Sequence, residues 1–359
     1  MNALEARIAA LIAVQGPISV AQYMTLALHD AEGGYYATRE PFGAAGDFIT
    51  APEISQMFGE MLGLWCVQVW HDQGQPKQKR LVELGPGRGT LMADVLRAAK
   101  AAPEFLVGLE VVLVEASPVL QQVQAAKLSG SGVNVRWISH FDDSLTDRPL
   151  FVLANEFFDA LPIRQYVKTQ TGWRERMIVA KDENLDFALA PLPTPSAIIP
   201  ASRAGAPDGG AYEVSPASTA LVETIAQTIA EKGGGALLLD YGYGEESGFG
   251  ETLQAVGGHA FADVLAEPGE NDLSAHVDFA ALAQAARHGG AAAYGPKTQG
   301  AFLAELGLTS RAEQLIKANP DAARTLLQAV ARLIGTDQMG NLFKALAILP
   351  QSAARPPGF

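Results

Sequence analysis

Seven consecutive residues, Glu83-Leu84-Gly85-Pro86-Gly87-Arg88-Gly89, carry the strongest chemical signal in the chain. Glycines at alternate positions let a backbone turn tightly and approach a ligand closely. A helix beginning at Thr90 would point its free N–H groups at that ligand. The spacing is G-x-G-x-G, not the G-x-G-x-x-G of dinucleotide loops, and an acidic residue stands two positions before the first glycine. A carboxylate there would repel a pyrophosphate but attract the ammonium and sulfonium of S-adenosylmethionine. Glu83, Gly85, Pro86, Gly87 and Gly89 are therefore read as the binding loop for that cofactor.

Other candidate groups fall at the ends of apolar runs. Glu115 follows Val111 to Val114, where an acidic residue of a doubly wound sheet accepts hydrogen bonds from ribose hydroxyls. Phe141-Asp142 follows Val133 to Ile138, placing Asp142 where an adenine edge would lie. Asn155-Glu156-Phe157-Phe158-Asp159 follows Leu150 to Ala154, and an amide and two carboxylates beside an apolar strand need partners. The expected partner is a substrate amine: Asn155 accepts hydrogen bonds beside the cofactor, Glu156 and Asp159 supply charge, and Phe158 supplies a wall. Asp240, in Asp240-Tyr241-Gly242-Tyr243, is placed in the same site. The six histidines show no metal-ligand spacing, and no metal is expected.

These residues need a frame that gathers strand ends. From residue 80 short strands alternate with helices: Leu81 to Leu84, Thr90 to Ala99, Val111 to Val114, a helix capped by Ser117-Pro118, Val133 to Ile138, and Leu150 to Ala154. That rhythm predicts a parallel sheet with helices on both faces and right-handed crossovers. Antiparallel strands at Gln165 to Lys168, Trp173 to Val179 and Leu185 to Leu189 predict a β-rich insertion over about residues 165–210. The core resumes with a helix at Ser218 to Ala230 and a strand at Ala236 to Asp240. A helix from about His276 to Arg287, a strand at Ala291 to Tyr294 and a closing strand at Phe343 to Leu349 follow. Seven strands fit a class I S-adenosylmethionine-dependent methyltransferase core (Rossmann-like) better than a six-stranded dehydrogenase. Residues 1–76 read as an N-terminal helical cap without strands, and 77–359 as the core. Two capping boxes stand in that cap, Ser19 with Gln22 and Thr50 with Glu53, the second opening a helix that carries Ile54, Met57, Phe58, Met61, Leu62 and Trp65.

Composition narrows the partners. With 26 basic and 39 acidic residues the net charge is -13, which argues against a nucleic-acid partner and suits a cationic one. Cys66 is the single cysteine and sits in an apolar run, so it is expected to be a buried thiol. No apolar run approaches membrane-span length, and the N-terminus opens directly into a helix pattern, so membrane insertion is not expected.

Five stretches together resemble the mitochondrial complex I assembly-factor protein-arginine methyltransferase family and its bacterial MidA-like counterparts. They are Gly46-Asp47-Phe48-Ile49-Thr50-Ala51-Pro52-Glu53-Ile54-Ser55-Gln56, the loop at 83–90, Asn155 to Pro162, Asp240 to Tyr243, and Asp272-Leu273-Ser274-Ala275-His276-Val277-Asp278-Phe279. The resemblance implies S-adenosylmethionine as cofactor, with contacts from Gly85, Gly87 and Glu115 and from Asp47 and Thr50, whose segment is expected to fold over it. It also implies an arginine on a complex I subunit as acceptor. A guanidinium stays protonated, so a carboxylate would have to hold its fork and bias one nitrogen toward attack. Glu156 is the first candidate for that role, with Asp159 or Asp240 second. The other readings are a methyltransferase for another protein or a small molecule, and an assembly chaperone that binds the cofactor without appreciable turnover. A nicotinamide oxidoreductase fits the loop least. The expected compartment is the bacterial cytoplasm, or the mitochondrial matrix if a presequence has been removed.

Overall fold

The computed structural model describes residues 2–38, 50–182, 184–244, 249–258 and 260–359. Seven strands form the central sheet: β1 Lys79–Leu84, β2 Leu109–Val114, β3 Asn134–Ile138, β4 Leu150–Asn155, β5 Gly234–Tyr243, β6 Ala292–Thr298 and β7 Phe343–Leu349. Their order is β6-β7-β5-β4-β1-β2-β3. β1 to β5 are mutually parallel, and β7 runs antiparallel to both β5 and β6. A nicotinamide-type sheet reads 3-2-1-4-5-6. Here an antiparallel seventh strand separates strands 5 and 6, as in the expected methyltransferase core. Val277–Asp278 adds a short parallel strand beside the end of β5.

The inner strands β1, β2, β4, β5 and β7 are buried on both faces, which explains their largely apolar sequences, whereas the edge strands β3 and β6 are partly exposed. Side chains alternate faces strictly. Leu81, Leu113, Leu153 and Leu237 share one core with the helices Gln56–Asp72 and Thr90–Ala99 and the C-terminal helices. Val82, Val112, Val152 and Leu238 share the other with the helices Pro216–Lys232 and Phe279–His288. Gln56–Asp72 thus packs in the layer beside the sheet. It lies close to Thr90–Ala99 because Gly59 and Gly63 face it: a Cβ on Gly59 would come within 2.6 Å of the Asp94 Cβ, and one on Gly63 within 2.8 Å of the Val95 carbonyl. Cys66 is buried in this layer, and burial pushes its thiol up to about 12.

A second lobe is built from both ends of the sequence pattern. The strands Arg164–Thr169, Gly172–Lys181, Asn184–Leu189 and Ala211–Val214 form an antiparallel sheet. Ile18–Ser19 pairs antiparallel with Ile178 and Met177 of the long strand Gly172–Lys181, so the first 76 residues do contribute a short strand. The helices Ala3–Gln15 and Val20–His29 pack with residues of this sheet and of a three-stranded sheet, Gln254–Gly257, Ala260–Ala262 and Asp272–Ser274, that the sequence pattern did not predict. The Ser19–Gln22 capping box forms as expected. The Thr50–Glu53 box does not: Thr50 makes no side-chain cap bond, and the turn Ala51–Ile54 is broken by the extended backbone of Ser55. Ser55 itself caps Gln56–Asp72 through the Met57 amide, at 3.2 Å. The helix expected from His276 begins at Phe279, because the Asp278 carboxylate accepts from the Ala281 amide and fixes the start there.

Candidate active site

Strand register brings the candidate residues to one edge. Leu84 lies level with Val114 on one side and Ala154 on the other, and Asn155 lies level with Leu239. The glycine loop, Glu115, the Asn155–Asp159 turn and Asp240 therefore all leave the carboxyl ends of adjacent parallel strands. This is where open α/β sheets bind ligands, at the point where the chain winds in opposite directions from β1 and β4.

The glycine loop has the backbone its residues permit. Gly85, Gly87 and Gly89 sit at φ of +62°, +51° and +75°, and Gly89 precedes Thr90–Ala99 without a side-chain cap. A Cβ on Gly85 would come within 2.9 Å of the Phe157 ring, so the loop and the acceptor turn touch only because that side chain is absent. Between them lies an open cleft of about 420 Å³, lined by Thr50, Pro52, Glu53, Glu83, Gly85, Pro86, Gly87, Arg88, Thr90, Leu91, Asn155 and Glu156.

Glu83 is 3% exposed, and its Oε2 has no hydrogen-bond partner among the described residues. Burial pushes this carboxyl up to about 8; the Met92 amide works against that and Glu115 adds to it. The Asn155 Oδ1 is likewise buried and unpaired, while its Nδ2 donates to Glu156 Oε1 at 3.0 Å. Two unsatisfied acceptors beside one cleft are costly unless a donor arrives.

Glu156 takes a left-handed backbone, φ +50°, unusual for a residue with a side chain. Its N–H donates to the Leu239 carbonyl at 2.9 Å, and its Oε1 also accepts from the Ala51 amide at 3.3 Å. Burial, then the neighbouring Asp159, raises its carboxyl to about 7. Asp159 lies behind the turn, raised to about 6 by burial, and its Oδ2 accepts from the Tyr241 hydroxyl at 2.6 Å. Asp240 is fully buried and faces the backbone: its Oδ2 accepts from the amides of Phe157, Phe158 and Asp159 at 3.1, 2.9 and 3.3 Å. Burial and the two nearby carboxylates hold Asp240 well above the usual range. Neither Asp159 nor Asp240 lines the cleft.

Glu115 adjoins the loop through Gln124. Its Oε1 accepts from the Ser117 amide at 2.8 Å, its Oε2 accepts from Gln124 Nε2 at 3.1 Å, and burial raises its pKa. Asp142 stands apart from the cleft, half-buried, with its carboxylate accepting from the Ser144 amide at 2.8 Å and its pKa lowered by its bonds to Ser144. Asp47 falls outside the described residues. Sequence reasoning missed Glu53, whose Oε1 accepts from the Thr90 hydroxyl at 2.6 Å and ties the 50–54 turn to the loop. It missed Tyr241 as the partner of Asp159, and it missed Gln124. The last left a signal: Leu120, Gln124 and Leu128 form the buried stripe of their helix, and a glutamine there asks for a polar purpose.

A parallel sheet with an antiparallel seventh strand, a three-glycine loop and an acidic edge defines a class I methyltransferase. Residues 61–297 match the family described as "Putative S-adenosyl-L-methionine-dependent methyltransferase", and the chain belongs to it. It is 38% identical to the mitochondrial protein arginine methyltransferase NDUFAF7 of Danio rerio, across 95% of this chain and 86% of that protein. The Homo sapiens counterpart is 37% identical across 93% and 80%. A Burkholderia thailandensis protein solved with S-adenosylhomocysteine bound superposes with a TM-score of 0.86 at 28% identity, covering 99% of this chain and 94% of that one. The cofactor is S-adenosylmethionine. The residues present fit it: a buried carboxylate oxygen without a donor suits an ammonium, and the glycine loop is a cradle that a Cβ would fill.

Proposed function

We propose that the chain methylates an arginine of a protein client, with a respiratory complex I subunit as that client during assembly. The observation that carries this reading is Glu156, a half-buried carboxylate on a left-handed backbone in the same cleft as the glycine loop. Residues held in such backbone regions cost of order 1–3 kcal/mol and persist where function uses them. The names of the relatives support arginine as acceptor, and the net charge of -13 suits a basic client. With that client we place the protein in the bacterial cytoplasm, or in the matrix for a mitochondrial form.

The bound cofactor would supply an electrophilic methyl group by in-line displacement with S-adenosylhomocysteine as the leaving group, and the acceptor nitrogen gives up one N–H proton to the carboxylate that holds the fork. The chain's own task is to position and to hold charge. Glu83 meets the ammonium with its unpaired Oε2, Gly85, Pro86, Gly87 and Gly89 form the loop against the cofactor, and Glu115 accepts from the ribose hydroxyls. Asn155 accepts through its unpaired Oδ1, and Thr50 closes the cleft opposite. Glu156 accepts from the guanidinium fork and fixes one nitrogen toward the methyl group; orientation of this kind supplies roughly 7–11 kcal/mol in favourable cases. Asp240 and Asp159 act behind it: Asp240 gathers three amides to set the turn, and Asp159 keeps a second negative charge near Glu156. Asp142, half-buried beyond the end of β3 and outside the cleft lining, is the candidate partner for the adenine edge.

The test is the identity of the product. Protein extract from cells lacking the gene, incubated with the purified chain and methyl-labelled cofactor, should yield labelled methylarginine on acid hydrolysis and amino-acid analysis. Label confined to lysine, glutamine or a small molecule would overturn the arginine reading.

A further inference from the structure

We propose that Gln124 is the positioning residue of the cofactor site, a single buried amide that aligns the glycine loop and the ribose-binding carboxylate together. Gln124 is fully buried. Its Nε2 donates to the Gly87 carbonyl at 2.7 Å and to Glu115 Oε2 at 3.1 Å, and its Oε1 accepts from the Trp137 indole at 2.8 Å. Its Cγ lies 3.3 Å from where a Cβ on Gly89 would stand, so the loop also rests on its stem.

The orientation of the amide is forced by its neighbours. An indole N–H can only donate, and a carbonyl and a carboxylate can only accept. Oε1 must therefore face Trp137, and both Nε2 hydrogens must face Gly87 and Glu115. Trp137 lies on β3, Glu115 follows β2 and Gly87 follows β1, so one side chain ties the outputs of three strands. The Glu115 carboxylate is thereby left one fixed face. Ser117 takes an acceptor position on Oε1 and Gln124 one on Oε2, the Ala116 amide also bonds the carboxylate, and the acceptor positions that remain are those the ligand hydroxyls would use. Without the Nε2 donors, Glu115 keeps its charge but loses its direction.

This inference rests on the assignment of Glu115 to the ribose, and the test separates the two. Equilibrium binding of S-adenosylhomocysteine and of its 2′,3′-dideoxy analogue is measured for the wild type, Gln124→Met, Gln124→Leu, Glu115→Gln and the Gln124→Met/Glu115→Gln double variant. Gln124→Leu also removes both donors, with a shorter apolar side chain and no new charge beside Glu115, so it serves should the methionine variant fold poorly. The wild type should favour the hydroxylated ligand by at least about tenfold, the worth of one to two hydrogen bonds to a charged group. Each Gln124 variant should bring that ratio close to one, and the double variant should lower it no further than Glu115→Gln alone. Trp137→Phe, which frees the amide to turn over, should lower the ratio in the same direction. A wild-type ratio retained in folded Gln124 variants would overturn the proposal and leave Gln124 a packing residue. A wild type indifferent to the hydroxyls would overturn the ribose reading of Glu115 and this inference with it.

Discussion

Replacing Glu83 by glutamine removes one ionisable proton from the cofactor site while keeping the side chain's shape. Burial holds this carboxyl up at about 8, so at pH 6 nearly all ligand-free protein carries it protonated. Pairing with an ammonium requires the ionised form, and each pH unit below the pKa costs about 1.36 kcal/mol for that ionisation. Affinity for S-adenosylhomocysteine should therefore rise about thirtyfold from pH 6 to about pH 7.5, or about 2 kcal/mol. Above that Glu83 is itself increasingly ionised in the ligand-free protein and the rise levels off. Isothermal titration calorimetry in buffers of different ionisation enthalpy measures both the affinity and the protons released. The wild type should release about one proton per ligand near pH 6.5 and the Glu83→Gln variant close to none. The two proteins should bind alike at pH 6 and diverge as pH rises. A variant that kept the wild-type slope and proton release would assign both to another carboxylate. Absence of any slope in the wild type would refute a protonated Glu83 in the free protein.

Stability of the ligand-free protein should fall with rising pH. Native Glu83, Glu156 and Asp159, at about 8, 7 and 6, hold protons that the unfolded chain has already lost. Their contribution is full at low pH and is lost as pH climbs through those values. From pH 6 to 8 Glu83 and Glu156 together account for about 4 kcal/mol, measurable by urea unfolding at the two pH values and narrowed by saturating S-adenosylhomocysteine. Gly85→Ala would set a Cβ within 2.9 Å of the Phe157 ring at φ +62°; calorimetry should find cofactor affinity down at least about tenfold, from strain of about 1–2 kcal/mol. Asp240→Asn should leave at least one of the three turn amides poorly paired and lower stability by about 1–3 kcal/mol. Methyl transfer should then fall more than cofactor affinity, because the acceptor turn moves and the glycine loop does not.

The parts of this molecule legible in its sequence are those that repeat a simple rule. β1, β2, β4 and β5 read as strands because the middle of a sheet buried on both faces demands mostly apolar residues. The glycine loop was legible because its backbone can be made only by glycine, and Glu83 because a carboxylate beside such a loop selects the ligand's charge. What escaped depends on partners distant in sequence. Thr50 and Glu53 have the spacing of a capping box, yet Glu53 is taken by Thr90, and Ser55 starts the helix instead. Asp240 reads as a catalytic acid beside β5, but the register with β4 carries its carboxylate under three backbone amides. The strands of the small sheet, Gln254–Gly257, Ala260–Ala262 and Asp272–Ser274, are three or four residues long and too short to show a period. They form because the two N-terminal helices cover them, a contact no local pattern announces.

The central claim is that Glu156 holds the acceptor against the cofactor, and a single-turnover rate tests it most directly. Methyl transfer to client protein is followed at pH 8, where the wild-type carboxyl is ionised, with cofactor saturating and its affinity measured in parallel. Glu156→Gln should bind the cofactor nearly as the wild type does and transfer its methyl group at least about a hundredfold more slowly, the scale on which a positioned charged or polar group acts in catalysis. A Glu156→Gln protein that transfers at the full wild-type rate would contradict the account.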